Sequence, residues 1–81
     1  MRLPRDLSGQ KLVRALGRLG YQLTRQTGSH LRLTCSASGH EHHVTIPNHD
    51  PLKIGTLNAI LKDVAAEWNL TRDELLKRLF Q

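Results

Sequence analysis

Gly28-Ser29-His30 reads as a short turn that delivers a histidine to the mouth of a strand, inside a strongly basic part of the chain. Histidine is the side chain whose unperturbed pKa, about 6.5, suits it to proton exchange near neutral pH. The following residues, Leu31-Arg32-Leu33-Thr34-Cys35, alternate apolar and polar as a half-buried strand does. Period-2 alternation sets His30, Arg32 and Thr34 on the face opposite Leu31, Leu33 and Cys35, so His30 is expected to meet solvent among cations. RNA cleavage needs a proton taken from a 2′-OH, a proton given to the leaving 5′-oxygen, and positive charge around a phosphorane-like transition state. His30 can supply one proton transfer, and Arg32 or a base on the first helix can supply charge. The plain alternative is a surface histidine with no task.

The remaining reactive side chains give weaker signals. His49 stands between Pro47 and Pro51 and next to Asp50. It either caps a turn or contributes a second proton-transfer or phosphate-contacting group. Cys35, His40, His42 and His43 lie close together, but these four contain no C-x₂₋₄-C or H-x₃₋₅-H pair, and Cys35 falls on the apolar parity of its strand. No metal site and no cofactor are expected. No serine stands in an elbow motif and no Gly-rich phosphate loop of the P-loop kind occurs.

These groups are carried by a predictable set of elements. Ser8 is a suitable N-cap for a first helix that ends near Leu19, with Gly20 as its stop. Leu12, Leu16 and Leu19 form its apolar stripe, while Lys11, Arg14 and Arg18 share the other side at i, i+3, i+7. That basic stripe is either a solvated face or a phosphate-contacting one. Three strands follow: Tyr21 to Gln26 with Tyr21 and Leu23 inward, His30 to Cys35, and about His40 to Ile46 with His42, Val44 and Ile46 on one face. Short loops between them imply an antiparallel meander. By parity the outer face gathers Gln22, Thr24, Gln26, His30, Arg32, Thr34, His43 and Thr45. Residues 47–51 are expected not to continue the strand and to form an ordered loop or a pair of turns, and a second helix begins near Thr56 with Leu57, Ile60, Leu61, Val64 and Trp68 on one side. Thr71-Arg72-Asp73-Glu74 is a capping box that opens a last helix with Leu75, Leu76, Leu79 and Phe80 as its stripe. Trp68 and Tyr21 are read as core. The expected class is α+β, in the order α-β-β-β-α plus a C-terminal helix, with a three-stranded antiparallel sheet covered on one face.

Composition bounds what such a fold can do. The 81 residues, 1–81, are read as one small domain; a chain of this size buries only about 60% of its unfolded surface, so its stability is modest. One cysteine excludes an internal disulfide framework and fits a reducing compartment. No signal-like or membrane-length apolar run is present, and a soluble, cytoplasmic protein with no membrane partner is expected. Residues 1–40 hold seven Arg/Lys against one acid, for +6, whereas residues 41–81 hold five against six, for −1. This asymmetry points to one surface for a polyanion, either a nucleic acid or an acidic protein.

The first helix running into Gly20-Tyr21, then Gly28-Ser29-His30, then Val44-Thr45-Ile46-Pro47-Asn48-His49, then Leu52-Lys53-Ile54-Gly55-Thr56-Leu57-Asn58-Ala59-Ile60-Leu61, together resemble the HicA toxins of toxin–antitoxin modules. The resemblance covers roughly residues 7–66. It implies a small fold like the double-stranded-RNA-binding domain and a ribosome-independent mRNA endoribonuclease without a small-molecule cofactor. It also implies neutralisation by a HicB-type antitoxin in a hetero-oligomeric complex. The family's catalytic histidine maps onto His30. Gly28, Ser29, Arg32, Lys11, Arg14 and Arg18 then become the candidate RNA contacts, with His49 a possible auxiliary group. The third helix and the His-rich Ser38–His43 segment depart from the shortest family members. A non-catalytic RNA-binding module of the same fold, and a basic adaptor for an acidic partner, are the competing readings.

Overall fold

The computed structural model describes residues 2–81. The elements run α1 (Gly9–Gly17), β1 (Gln22–Gln26), β2 (His30–Cys35), β3 (His42–Pro47), α2 (Ile54–Trp68) and α3 (Arg72–Phe80), the expected order. The strands form one antiparallel sheet in the order β1-β2-β3. Leu31, Leu33, Cys35, Val44 and Ile46 of the sheet are buried together with Leu12 and Leu16 of α1, Leu57, Leu61 and Val64 of α2, and Leu75, Leu76 and Leu79 of α3. The helices therefore cover one sheet face, and the polar parity of β2 and β3 lies on the other.

Local chemistry sets the helix boundaries. Ser8 caps α1, its hydroxyl accepting from the Lys11 amide at 3.1 Å. The regular helix stops at Gly17, two residues short of the expected end, and continues as turns. The Gly20 amide donates to the Gly17 carbonyl and the Tyr21 amide to the Leu16 carbonyl. Gly20 supports this Schellman ending with φ +102°, a backbone geometry that glycine adopts without steric cost. The second helix begins at Ile54, earlier than Thr56, with Lys53 as an N-cap that offers no side-chain bond. Thr71 and Glu74 form the reciprocal capping box that opens α3.

The strands depart from expectation in the bounds of the third and in the alternation of the first. The third strand starts at His42 rather than near His40, and extends through Pro47, which pairs with His30. A proline at the last position of an edge strand removes no amide that the ladder needs. Leu23 pairs with buried Leu33 and so lies on the inward face as expected, although at the sheet edge it stays 43% exposed. The pairing also shifts between Leu23 and Arg25, where a bulge at Thr24 breaks strict alternation.

Candidate active site

The β1–β2 turn is closed by hydrogen bonds that fix the start of β2. The Thr27 amide donates to the His30 carbonyl at 3.0 Å, and the His30 amide donates to Thr27 Oγ1 at 3.1 Å. His30 is exposed, as its parity requires, and its Nδ1 lies 2.9 Å from Ser29 Oγ. Nε2 has no partner among the described residues. A Cβ at Gly28 would meet nothing within 4 Å, so the fold itself does not demand glycine there.

The loop after β3 is tied to this turn. His30 pairs with Pro47, and the Asn48 amide donates to the Ser29 carbonyl at 2.9 Å. The start of α1 joins them: the Gly9 amide donates to the His49 carbonyl at 2.9 Å, and Gln10 Nε2 donates to Asn48 Oδ1 at 3.3 Å. A Cβ at Gly9 would press into the Pro47 carbonyl oxygen, so only glycine allows α1 to approach this closely. Ser29, His30, His49 and the first turn of α1, including Lys11, consequently gather at one end of the sheet. The His49 side chain is exposed there.

The basic residues named from sequence divide into groups. Lys11, Arg14 and Arg18 are all exposed on α1. Arg18 reaches away from the His30 end: its Nη1 donates to the Leu79 carbonyl at 3.1 Å and to the Gln81 carbonyl at 2.8 Å, where it caps the C-terminus of α3. Arg32 lies two residues along β2 from His30, directly between Arg25 on β1 and Thr45 on β3. The outer set that sequence parity gathers does not include Arg25. The bulge moves it to the outer face, since residues directly opposite in a ladder share a face. The only pointer in the sequence was the lack of a second apolar residue after Leu23 to anchor the alternation.

The histidines of residues 40–43 separate to three different carboxylates. His40 Nδ1 is 3.4 Å from Glu67 Oε2, His42 Nε2 is 3.4 Å from Asp63 Oδ1, and His43 Nε2 is 3.2 Å from Glu41 Oε1. Hydrogen bonding from Ser38, then from His40, holds the Glu67 carboxyl below the usual carboxylate range. His42 also meets the buried Tyr21 hydroxyl, with Nδ1 at 2.6 Å, while Trp68 Nε1 donates to that hydroxyl at 3.1 Å. Burial, the dominant cause, pushes the Tyr21 phenol up to about 12 against the lowering effect of the Trp68 bond. His43 Nδ1 lies 3.0 Å from Thr34 Oγ1, which is 2.9 Å from Thr24 Oγ1. Among the described residues no group of three or more His, Cys, Asp or Glu is arranged to hold a metal ion. Cys35 is buried in the core as a free thiol. No described helix is long and apolar enough to cross a membrane.

A family model described as the HicA toxin of bacterial toxin–antitoxin systems matches residues 9–65. The chain belongs to the HicA toxin family. The match opens at Gly9, the first residue of α1, and includes the His30 turn, the three strands and the loop that bonds to them. It ends inside α2, so α3 is an addition beyond the matched segment. Family membership makes the protein the toxin half of a toxin–antitoxin module and implies an antitoxin partner. Comparison with curated proteins and with solved structures finds no match.

Proposed function

We infer that this HicA-family toxin is an endoribonuclease that cuts mRNA without the ribosome, with His30 as its acid/base group. The observation that carries the reading is the state of the His30 ring: exposed, held at Nδ1 by Ser29, and open at Nε2. In the tautomer that donates Nδ1–H to Ser29 Oγ, the Nε2 lone pair can take the proton from a ribose 2′-OH. The resulting oxygen attacks the adjacent phosphorus, the bond from phosphorus to the 5′-oxygen breaks, and that oxygen leaves with a proton. The products are a 2′,3′-cyclic phosphate and a 5′-hydroxyl end. Histidinium formed in the first half of the reaction can return its proton in the second half, or His49 can serve as the donor.

Positive charge completes the proposed site. Arg32 lies beside His30 on the same face, and Lys11 and Arg14 line the exposed side of α1. These groups hold phosphates and offset charge that builds up in the transition state. The Gly28 turn lets backbone approach the strand without an obstructing side chain. The chemistry asks for no metal, so cleavage is expected to survive a chelator. The antitoxin, of HicB type, inhibits by covering His30 or the cations around it.

The test is induction of wild-type protein and of His30→Ala in a host that lacks the antitoxin, with growth and total mRNA followed in parallel. Wild type is expected to arrest growth and degrade mRNA, and His30→Ala to do neither while still binding RNA. Equal cleavage by the two proteins removes His30 from the mechanism. Salt-sensitive RNA binding without cleavage by the wild type would establish the non-catalytic module instead, and antitoxin binding without any RNA affinity would establish the adaptor.

A further inference from the structure

The bulge at Thr24 creates an arrangement that strand stability alone disfavours. Arg25 and Arg32 stand directly opposite each other on neighbouring strands, and like charges in that relationship repel. Both side chains are exposed, and neither has an ion pair or a side-chain hydrogen bond among the described residues. Glu41 is engaged by His43, towards the other end of β3 from Pro47. The rows run from His30 with Pro47, through Arg25, Arg32 and Thr45, to Thr24, Thr34 and His43. The two-residue step from His30 to Arg32 is about 7 Å along the strand, of the order of one nucleotide step in an extended nucleic acid.

We propose that Arg25 and Arg32 form a phosphodiester subsite on the outer sheet face, binding the phosphate next to the one cut at His30. The proposal rests on the ribonuclease reading for the identity of the ligand, and it makes Arg25 an RNA-binding residue. An anion between the two guanidiniums would turn their repulsion into shared attraction. Recognition there is independent of base. The chain has one Tyr, one Trp and one Phe; Tyr21 and Trp68 are joined to each other on the helix side and Phe80 packs against the core, so none of the three offers a base a platform on this face.

The experiment titrates labelled single-stranded RNA carrying 2′-O-methyl groups, which has no free 2′-OH to be cut, against the full chain over a range of salt concentrations. Wild type is compared with Arg25→Gln, Arg25→Lys and Lys62→Gln, the last removing an equal charge on α2. Arg25→Gln is expected to weaken binding roughly five- to tenfold and to lower the steepness of the salt dependence by about 0.7, the value for one phosphate contact on a single strand. Arg25→Lys should recover part of the loss, and Lys62→Gln should bind like wild type. The melting temperature of Arg25→Gln should equal or exceed that of wild type, because a repulsive pair has been relieved. Unchanged affinity and salt dependence in Arg25→Gln would overturn the subsite, and so would a loss of antitoxin binding without a loss of RNA binding. A fall in melting temperature that accompanies the lost affinity would make Arg25 structural and also overturn it. Cleavage of ordinary RNA by His30→Ala reports on the nuclease reading separately, because the methylated RNA measures binding alone.

Discussion

Ser29 Oγ lies 2.9 Å from His30 Nδ1, so the residue before the histidine is also the one that orients its ring. The Ser29 carbonyl in turn accepts from the Asn48 amide, which joins the orientation of the ring to the loop that carries His49. One residue thus links both histidines of the proposed site.

Ser29→Ala should therefore reduce RNA cleavage without unfolding the protein. A net hydrogen bond contributes about 1 kcal/mol, so a loss of roughly fivefold in cleavage rate is expected, far smaller than that of His30→Ala. Thermal melting should be unchanged, since the Ser29 side chain is exposed. Full activity in Ser29→Ala would show that the ring needs no such support.

Gly9→Ala tests the junction between α1 and β3. Alanine is the better helix former by about 1 kcal/mol, yet its Cβ meets the Pro47 carbonyl oxygen. Overpacking of this kind costs about 1–3 kcal/mol, so urea denaturation should show a net loss of stability. Because the Gly9 amide also holds the His49 carbonyl, cleavage should decline as well. A Gly9→Ala protein of equal or greater stability would mean that the helix moves aside at no cost.

The basic stripe on α1 should divide in two by experiment. Arg18→Ala removes the donor to the Leu79 and Gln81 carbonyls and should lower stability by about 1 kcal/mol. Lys11→Ala and Arg14→Ala should leave melting unchanged and weaken RNA binding in a salt-dependent way. Equal behaviour of all three variants in both assays would contradict this division.

Tyr21 predicts the alkaline limit of stability. Its phenol titrates at about 12 in the folded chain against an ordinary value of 10.0. The neutral hydroxyl therefore favours the fold. Its contribution is complete below pH 10.0 and is lost as pH rises through about 12. Phenolate absorbance of the single tyrosine should appear at higher pH in native protein than in urea, and coincident titrations would exclude this environment. Tyr21→Phe leaves the Trp68 indole N–H and His42 Nδ1 without the hydroxyl between them, at a cost of about 1–3 kcal/mol in urea unfolding.

The order of elements was legible because each carries a short-range signal. Leu31, Leu33 and Cys35 alternate with His30, Arg32 and Thr34, which fixes both the strand and its exposed face before any partner strand is known. Ser8, Gly20 and the Thr71–Glu74 box mark helix ends through chemistry that acts within a few residues. The exposure of His30 and the burial of Tyr21 followed from the same periodicities.

Cross-strand register and long-range capping required the tertiary structure. Nothing near Thr24 in the chain announces a bulge, because pairing is settled by hydrogen bonds to β2 that local pattern does not encode. Arg25 therefore joined the outer face only once the strands were paired. Arg18 shares its helix face with Lys11 and Arg14 in sequence, and α3, docked 61 residues away in the chain, gives it different partners. Sequence by itself determined which residues could bear charge and trade protons, since those properties reside in single side chains and local periodicity. Their spatial neighbours were decided by the packing of distant segments around the core.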